Sequence, residues 1–310
     1  MRLAAVTGGS GTVGSATVRE LLEHGWRVRA LARSEAAAVT FPSDVEITRG
    51  DVGNLADLEG LVDGADTVFH IAGVNSLCVK DRTSMWATNV EAPVAVYEAA
   101  LRAGVRRMVH ISSAAAVGPR TSFYAETKWA ADERLRAAAS GRSTDVVLVA
   151  PSSVQGPGRV TGTGKLILDL IDGKLNFMID TAISIIDIAD CAMAIRLAAD
   201  ADVGTDRLII SGFTMTTRDA LGLLAQDTDR HFDVRFVPSG VVRALAWLGP
   251  LLNPIGRKLG VELCAEMIRT MSVDHIHDGS DAAQQLAMTY RSASETFRRL
   301  IEWAETNPSA

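Results

Sequence analysis

Residues 3–14 read Leu3-Ala4-Ala5-Val6-Thr7-Gly8-Gly9-Ser10-Gly11-Thr12-Val13-Gly14, and a helical pattern, TVGSATVRELLEHG, begins within the same stretch. A short apolar run that passes through a glycine turn straight into a helix is the opening of a β-α unit. Glycines at 8, 11 and 14 suit a tight turn, close approach of a pyrophosphate and close packing of helix on strand. The helix start then offers unpaired N–H groups and a positive dipole end to an anion. These features predict a dinucleotide site that includes Gly8, Gly11, Thr12, Val13 and Gly14. Glycine spacing alone would fit an ordinary turn; its place between the first strand and the first helix favours the nucleotide.

Outward from that turn the alternation continues. WRVRALA, VEITRGD, ADTVFHIAG, RRMVHISS and DVVLVAP read as strands, separated by helical stretches that include LADLEGLVDG, Met85 to Ala103 and Tyr124 to Ala139. Six strands before residue 152 predict an α/β fold, a Rossmann-type doubly wound parallel sheet. After Pro151 the texture changes to PSSVQGPGRVTGTG, rich in glycine, proline and small polar residues. AISIIDIADCAMAIRLAAD reads as a strand leading into a helix and DRLIISG as a further strand, so the chain is expected to return to the sheet. The expected division is 1–152 plus about 182–211 as the dinucleotide-binding domain, and about 153–181 plus 212–310 as a smaller C-terminal substrate-binding lobe. No solenoid repeat or low-complexity tract is present.

With 47% hydrophobic and 22% charged residues in 310, the chain has enough apolar material for a sizeable core. A net charge of −6 leaves no basic stripe for phosphate backbones, so no nucleic-acid partner is expected. Cys78, Cys191 and Cys264 are far apart and lack CxxC spacing. They read as separate packing residues of a protein in a reducing compartment, not as a disulfide framework or a thiolate metal site. Glycines interrupt the N-terminal apolar run before a secretory segment or a span develops. The apolar stretch Val241 to Leu252 is broken by Arg243 and Gly249-Pro250 and reads as an amphipathic lid. A cytoplasmic location without a membrane span is the expectation.

Cofactor choice falls at the end of the second strand, where a carboxylate would bond the ribose 2′-hydroxyl of NAD. Here the strand ends in Arg33-Ser34. A guanidinium pairs bidentately with a 2′-phosphate, which favours NADP(H) over NAD(H). Asp51 and Val52 are placed to border the adenine, Ala72 and Gly73 leave room for the cofactor backbone, and Pro151 and Ser153 are assigned to the same site. Tyr124-Ala125-Glu126-Thr127-Lys128 puts a phenol and an ammonium four residues apart on one helix face. A nearby cation favours the phenolate of a group that ordinarily titrates at about 10. Lys128 would supply that cation and bind ribose hydroxyls. The fifth strand ends in His110-Ile111-Ser112-Ser113, at the sheet edge where ligands bind, and Ser113 is placed to orient a substrate carbonyl.

TGGSGTVG, HIAG, Asn89-Val90, VHISSAAAVG, YAETK and PSSVQGPG stand in the order found in extended short-chain dehydrogenases/reductases, and the chain resembles that family over nearly its whole length. More narrowly it looks like the dihydroflavonol-reductase-like and 3β-hydroxysteroid-dehydrogenase-like branch of the NAD-dependent epimerase/dehydratase superfamily, as does the C-terminal pattern DGSDAAQQL with TFRRLIEWAE. The resemblance implies a Ser-Tyr-Lys triad of Ser113, Tyr124 and Lys128, with Ser112 as the alternative serine and Asn89 as a supporting residue. It also implies a possible homodimer through helices flanking the sheet. Sugar-nucleotide members carry an arginine and an asparagine where this chain has Ala150-Pro151-Ser152-Ser153.

His275-Ile276-His277 alternates as a metal site would, but no ligand cluster joins it, and the plain reading is a polar surface strand with no metal. His70 and His110 end apolar strands and read as packed residues. Phe177, Met178, Ile179, Ile183, Leu245, Trp247 and Leu248 suit either the lining of a lipophilic pocket or the core of the lobe. The activity expected is NADP(H)-dependent reduction of a lipophilic ketone or aldehyde, or oxidation of the alcohol. An epimerase or dehydratase that retains its cofactor, or a non-catalytic NADP(H) sensor, would use the same fold.

Overall fold

In the computed structural model, which describes residues 1–203, 206–228, 231–245 and 264–307, the opening strand β1 (Leu3–Thr7) is buried along its whole length. It passes into α1 (Thr12–Glu23), β2 (Arg27–Ala32), the single turn α2 (Glu35–Ala38), β3 (Glu46–Arg49), α3 (Leu55–Val62) and β4 (Thr67–His70). Then α4 (Arg82–Trp86), a π-helical turn (Ala87–Glu91) and α5 (Ala92–Arg102) follow end to end before β5 (Arg107–Ile111), α6 (Phe123–Ala139) and β6 (Asp145–Pro151). Beyond β6 come β7 (Ser153–Gln155), α7 (Thr163–Ile171), β8 (Phe177–Ile179), β9 (Ala182–Asp187), α8 (Ile188–Leu197) and β10 (Arg207–Ile210). The chain ends through β11 (Phe213–Thr216), α9 (Thr217–Thr228), β12 (Arg235–Val237), α10 (Ser239–Leu245), α11 (Ala265–Met271), α12 (Ser280–Gln285) and α13 (Ala293–Thr306).

Seven strands form one sheet in the order β10-β6-β5-β4-β1-β2-β3, every neighbouring pair parallel. Successive side chains of a strand point to opposite faces. β1 therefore sends Ala4 and Val6 into one layer with Val18 and Leu21 of α1 and Ile195 of α8. It sends Ala5 into the other, with Leu58 and Leu61 of α3, Tyr97 of α5 and Leu135 of α6. With helices on both faces the central strands have no wet side, so they read as unbroken apolar runs. The strand order reverses between β1 and β4, which opens a crevice at their carboxyl ends.

Two smaller sheets complete the C-terminal part, β11-β9-β7 and the pair β12-β8. Their core gathers Ile167, Ile185, Leu224, Phe297 and Leu300. Ion pairs fasten this part to α8. Asp187 caps α8 through Ala189 N at 2.7 Å and takes Arg299 of α13 at 2.8 Å; Asp190 pairs with Arg291.

The reading of three separate cysteines is corrected for two of them. Cys78 and Cys264 form a disulfide, with Cα atoms 5.7 Å apart, while Cys191 is free and buried. The partners are 186 residues apart, so no spacing rule could pair them. They meet because α11, which begins just after Cys264, docks on the start of α6: Glu266 Oε1 accepts from Phe123 N at 2.5 Å, and Thr270 Oγ1 lies 3.1 Å from Thr121 Oγ1. No described helix is long and apolar enough to cross a membrane. The stretch 241–252 lies outside the described residues beyond Leu245.

Closing a loop of that length restricts the unfolded chain by up to about 5 kcal/mol in the chain-entropy account. Thiol counting in denaturant is expected to find one thiol per chain without reductant and three after reduction, with a lower Tm for the reduced protein. Three thiols without reductant would show that the bridge does not form.

Candidate active site

The turn leaving β1 is built against the chain leaving β4. Gly8 has φ +72°, and a Cβ there would fall 2.4 Å from Ala72 N; a Cβ on Gly14 would fall 2.0 Å from Gly8 O. The turn itself demands these two glycines. Gly11 is different, because a Cβ there would meet Gly8 O at an ordinary 3.4 Å. It is also the N-cap of α1 and supplies no side-chain cap, whereas Asn54, Ser122 and Asp187 cap α3, α6 and α8. The first-turn amides of α1, at Thr12 and Val13, are thus left for a ligand's anionic group. The residues present fit a dinucleotide pyrophosphate at this cradle.

Arg33 follows β2 on the exposed surface. Ser34 caps α2 by accepting from Ala37 N at 3.2 Å, and Glu35 behind it pairs with Arg49. Asp51 is exposed and accepts from Gly53 N at 2.8 Å; Val52 packs against the α3–α5 layer.

At the end of β5 the geometry separates the two serines. Ser112 is buried and its Oγ donates to Asp132 at 2.6 Å. Ser113 is half-buried and accepts from Ala115 N at 3.2 Å, and its hydroxyl pulls the Tyr124 phenol toward the ionised form. Ser122 caps α6, whose first turn carries Tyr124 and whose second carries Lys128. Lys128 is buried and its Nζ donates to Ile111 O at 2.7 Å. A Cβ on Gly73 would lie 3.5 Å from that Nζ, so the segment after β4 borders Lys128. Asn89, on the π-helical turn, accepts from Val74 N at 2.8 Å and donates to Val74 O at 2.9 Å and Thr127 Oγ1 at 3.0 Å. Asn89 thereby pins the segment after β4 to α6.

Burial lowers Lys128 to about 8. Burial first, then the Lys128 charge, lowers His70 to about 3 and holds His110 well below the ordinary histidine value. Both imidazoles are therefore neutral, stacked with centroids 5.3 Å apart, and His70 Nδ1 lies 2.7 Å from Thr7 Oγ1. Tyr124 is raised, chiefly by burial, against the opposing pull of the Ser113 hydroxyl and the Arg159 guanidinium. This departs from the expected tuning of Tyr124 by Lys128. The ammonium turns to Ile111 O and the sheet interior, and the cation acting on the phenol is Arg159. The sequence reading passed over Arg159, whose only signal was a basic residue among glycines; its approach to Tyr124 is a tertiary fact.

Pro151 is buried at the end of β6, and Ser153 opens β7 with its Oγ accepting from Gln155 Nε2 at 3.0 Å. Phe177 is 44% exposed, Met178 and Ile179 are half-buried, and Ile183 packs into the lobe's own core. Trp247, Leu248 and the side chain of Leu245 lie outside the described residues. His275 and His277 do not form the surface strand expected of them. His275 makes an isolated bridge to Ile183 and its Nε2 lies 2.7 Å from Thr270 O.

The model of the NAD dependent epimerase/dehydratase family matches residues 4–206, and the chain belongs to this family of NAD(P)-dependent enzymes. It is similar to a protein of Synechocystis sp. provisionally named dihydroflavonol 4-reductase, with 29% identity over 97% of this chain and 94% of the relative. It is also similar to sterol demethylase protein B of Methylococcus capsulatus, with 26% identity over 96% of this chain and 97% of the relative. Among solved structures, that of gox2253 superposes with a TM-score of 0.83 at 23% identity, covering 99% of this chain and 98% of the other.

Gly11→Ala is expected to leave thermal stability close to wild type and to weaken dinucleotide binding by about tenfold or more, about 1.4 kcal/mol. Gly14→Ala is expected to destabilise the fold by roughly 1–3 kcal/mol, because its Cβ must displace backbone. Melting curves and nucleotide titrations check both; equal loss of stability in the two variants would refute the distinction.

Proposed function

We propose that the protein catalyses reversible hydride transfer between NADP(H) and a ketone, aldehyde or secondary alcohol of a lipophilic small molecule, with Ser113, Tyr124 and Lys128 as its reaction centre. The observation that carries this reading is the hydrogen bond from Lys128 Nζ to Ile111 O at 2.7 Å, which holds the helix bearing Tyr124 and Lys128 against the end of β5 that presents Ser113. The bound dinucleotide supplies or accepts the hydride. Tyr124 gives its hydroxyl proton to the carbonyl oxygen in reduction and takes it back in oxidation. Its raised pKa keeps the phenol protonated near neutral pH, the form a proton donor needs. Ser113 holds the substrate oxygen where negative charge develops. Lys128, with a pKa of about 8, is largely cationic at pH 7 and, with one N–H bonded to Ile111 O, would offer its remaining N–H groups to the cofactor ribose.

Gly8, Gly11, Thr12, Val13 and Gly14 seat the pyrophosphate in this reading, Arg33 and Ser34 the 2′-phosphate, and Asp51 and Val52 the adenine. Ala72, Gly73, Pro151 and Ser153 line the remaining length. Residues 1–152 with about 182–211 then hold the cofactor, and about 153–181 with 212–310 hold the substrate. The lipophilic class is supported by the exposed Phe177 beside Met178 and by relatives whose names refer to a dihydroflavonol and a sterol.

Wild type is expected to oxidise NADPH faster than NADH with lipophilic ketones or aldehydes. Tyr124→Phe should lower kcat by roughly 10²–10⁴-fold while keeping nucleotide affinity, and Arg33→Ser should erase the preference for NADPH. Interconversion of substrate without net NADPH consumption would favour internal epimerisation. Binding of cofactor with no turnover, indifferent to Tyr124→Phe, would favour a sensor.

The oxidation direction gives a separate check. Tyr124 must start deprotonated, so the rate rises with pH. Arg159 favours the phenolate, so Arg159→Met is expected to raise the phenol pKa and move the rising limb to higher pH. A limb that stays in place would show that Arg159 does not act on the phenol.

A further inference from the structure

Arg159 sits in the turn that leaves β7, where its N–H donates to Gly156 O at 3.1 Å. A Cβ on Gly158, in the same turn, would lie 3.9 Å from Thr12 Cγ2, so the turn reaches from the start of α1 toward Tyr124. The Arg159 side chain is half-buried, and its Nε is fully buried with no acceptor. Among the described residues no carboxylate pairs with it. Other partly buried arginines are treated differently: Arg29 pairs with Glu46, Arg196 with Glu20, Arg207 with Asp132, Arg291 with Asp190 and Arg299 with Asp187.

The chain is also shaped around this residue. A Cβ on Gly164 would fall 2.3 Å from Arg159 O and 2.7 Å from its Cγ, and a Cβ on Gly162, at φ +58°, would lie 3.4 Å from Nη2. A side chain at 164 would push the arginine stem off its course. A buried guanidinium N–H without an acceptor, as at Arg159 Nε, is costly. That cost is offset when a carboxylate docks on its planar fork. In the proposed reading the first-turn amides of α1 take the cofactor's pyrophosphate, and the guanidinium, which acts electrostatically on the Tyr124 phenol, has no ligand assigned to it.

Resting on the hydride-transfer reading for Tyr124, we propose that Arg159 receives a carboxylate of the substrate close to the reacting carbon, so that the substrate is an oxo acid or the matching hydroxy acid with a lipophilic body. In reduction the hydride goes to the carbonyl carbon and the Tyr124 proton to its oxygen, and the carboxylate stays ionised on Arg159. The carboxylate serves recognition and takes no part in bond exchange.

The test uses the full chain loaded with saturating NADP⁺ and titrated calorimetrically with octanoate and with neutral octanamide. Wild type is expected to bind octanoate at least about tenfold more tightly. Arg159→Met should abolish that preference, Arg159→Lys should keep part of it, and Tyr124→Phe should keep it whole. Equal binding of the two probes by wild type, no binding of octanoate, or a preference that survives Arg159→Met would overturn the assignment. So would a tenfold loss of NADP⁺ affinity in Arg159→Met, which would place the guanidinium on the cofactor. If Arg159→Met does not fold, Arg159→Gln, which keeps a polar stem, carries the same comparison. An octanoate preference that depends on Arg159 in a protein that oxidises no NADPH would uphold the carboxylate site and count against the hydride-transfer reading alone.

Discussion

The backbone contact between Gly8 and Ala72, where a Cβ would find only 2.4 Å, is the constraint on which the rest depends. It joins the turn leaving β1 to the chain leaving β4 at the point where the strand order reverses. Only two backbones in contact can bring the start of α1, the segment bordering Lys128 and the end of β5 around one crevice. Gly14 repeats the demand one helical turn later, against Gly8 O at 2.0 Å. At Gly11, between them, a Cβ would meet Gly8 O only at an ordinary 3.4 Å, so the fold does not require glycine there.

The crevice is costly to the fold in two ways. α1 starts without a side-chain cap, which α3, α6 and α8 all have. Charged groups are also buried around it: Lys128 and Asp132, and the unpaired Nε of half-buried Arg159. Burial depresses Lys128 and raises Asp132 and Tyr124, the pattern of shifts that marks sites of chemistry. The surroundings support these strains. Asn89 ties the loop after β4 to α6, Glu266 caps the start of α6, and the Cys78–Cys264 bridge joins both regions.

Much of this was legible from residue order. Strand runs such as TVFH and RMVHI are buried on both faces, so their apolar character survives without alternation and marks them as interior parallel strands. The glycine turn could be located because its steric demands are local, between residues a few positions apart. The helix carrying Tyr124 and Lys128 was legible in the helical stretch Tyr124 to Ala139, and their four-residue spacing puts both on one face of it. The reading of the cysteines failed for the opposite reason, since the bridge joins positions 186 residues apart. The His275–His277 alternation misled because those residues make an isolated bridge with β9 and no strand.

By itself, then, the sequence determined the alternating β-α architecture, the glycine turn and the residue types gathered at the strand ends, because each depends on periodicity or on sterics between near neighbours. Only the tertiary structure decided that Ser112 turns to Asp132 while Ser113 turns to Tyr124. It likewise decided that Lys128 bonds Ile111 O and that Arg159 is the cation acting on the phenol. Those outcomes depend on where separate elements dock and how much water they exclude. Burial and long-range charge are properties of the packed chain, and residue order does not carry them.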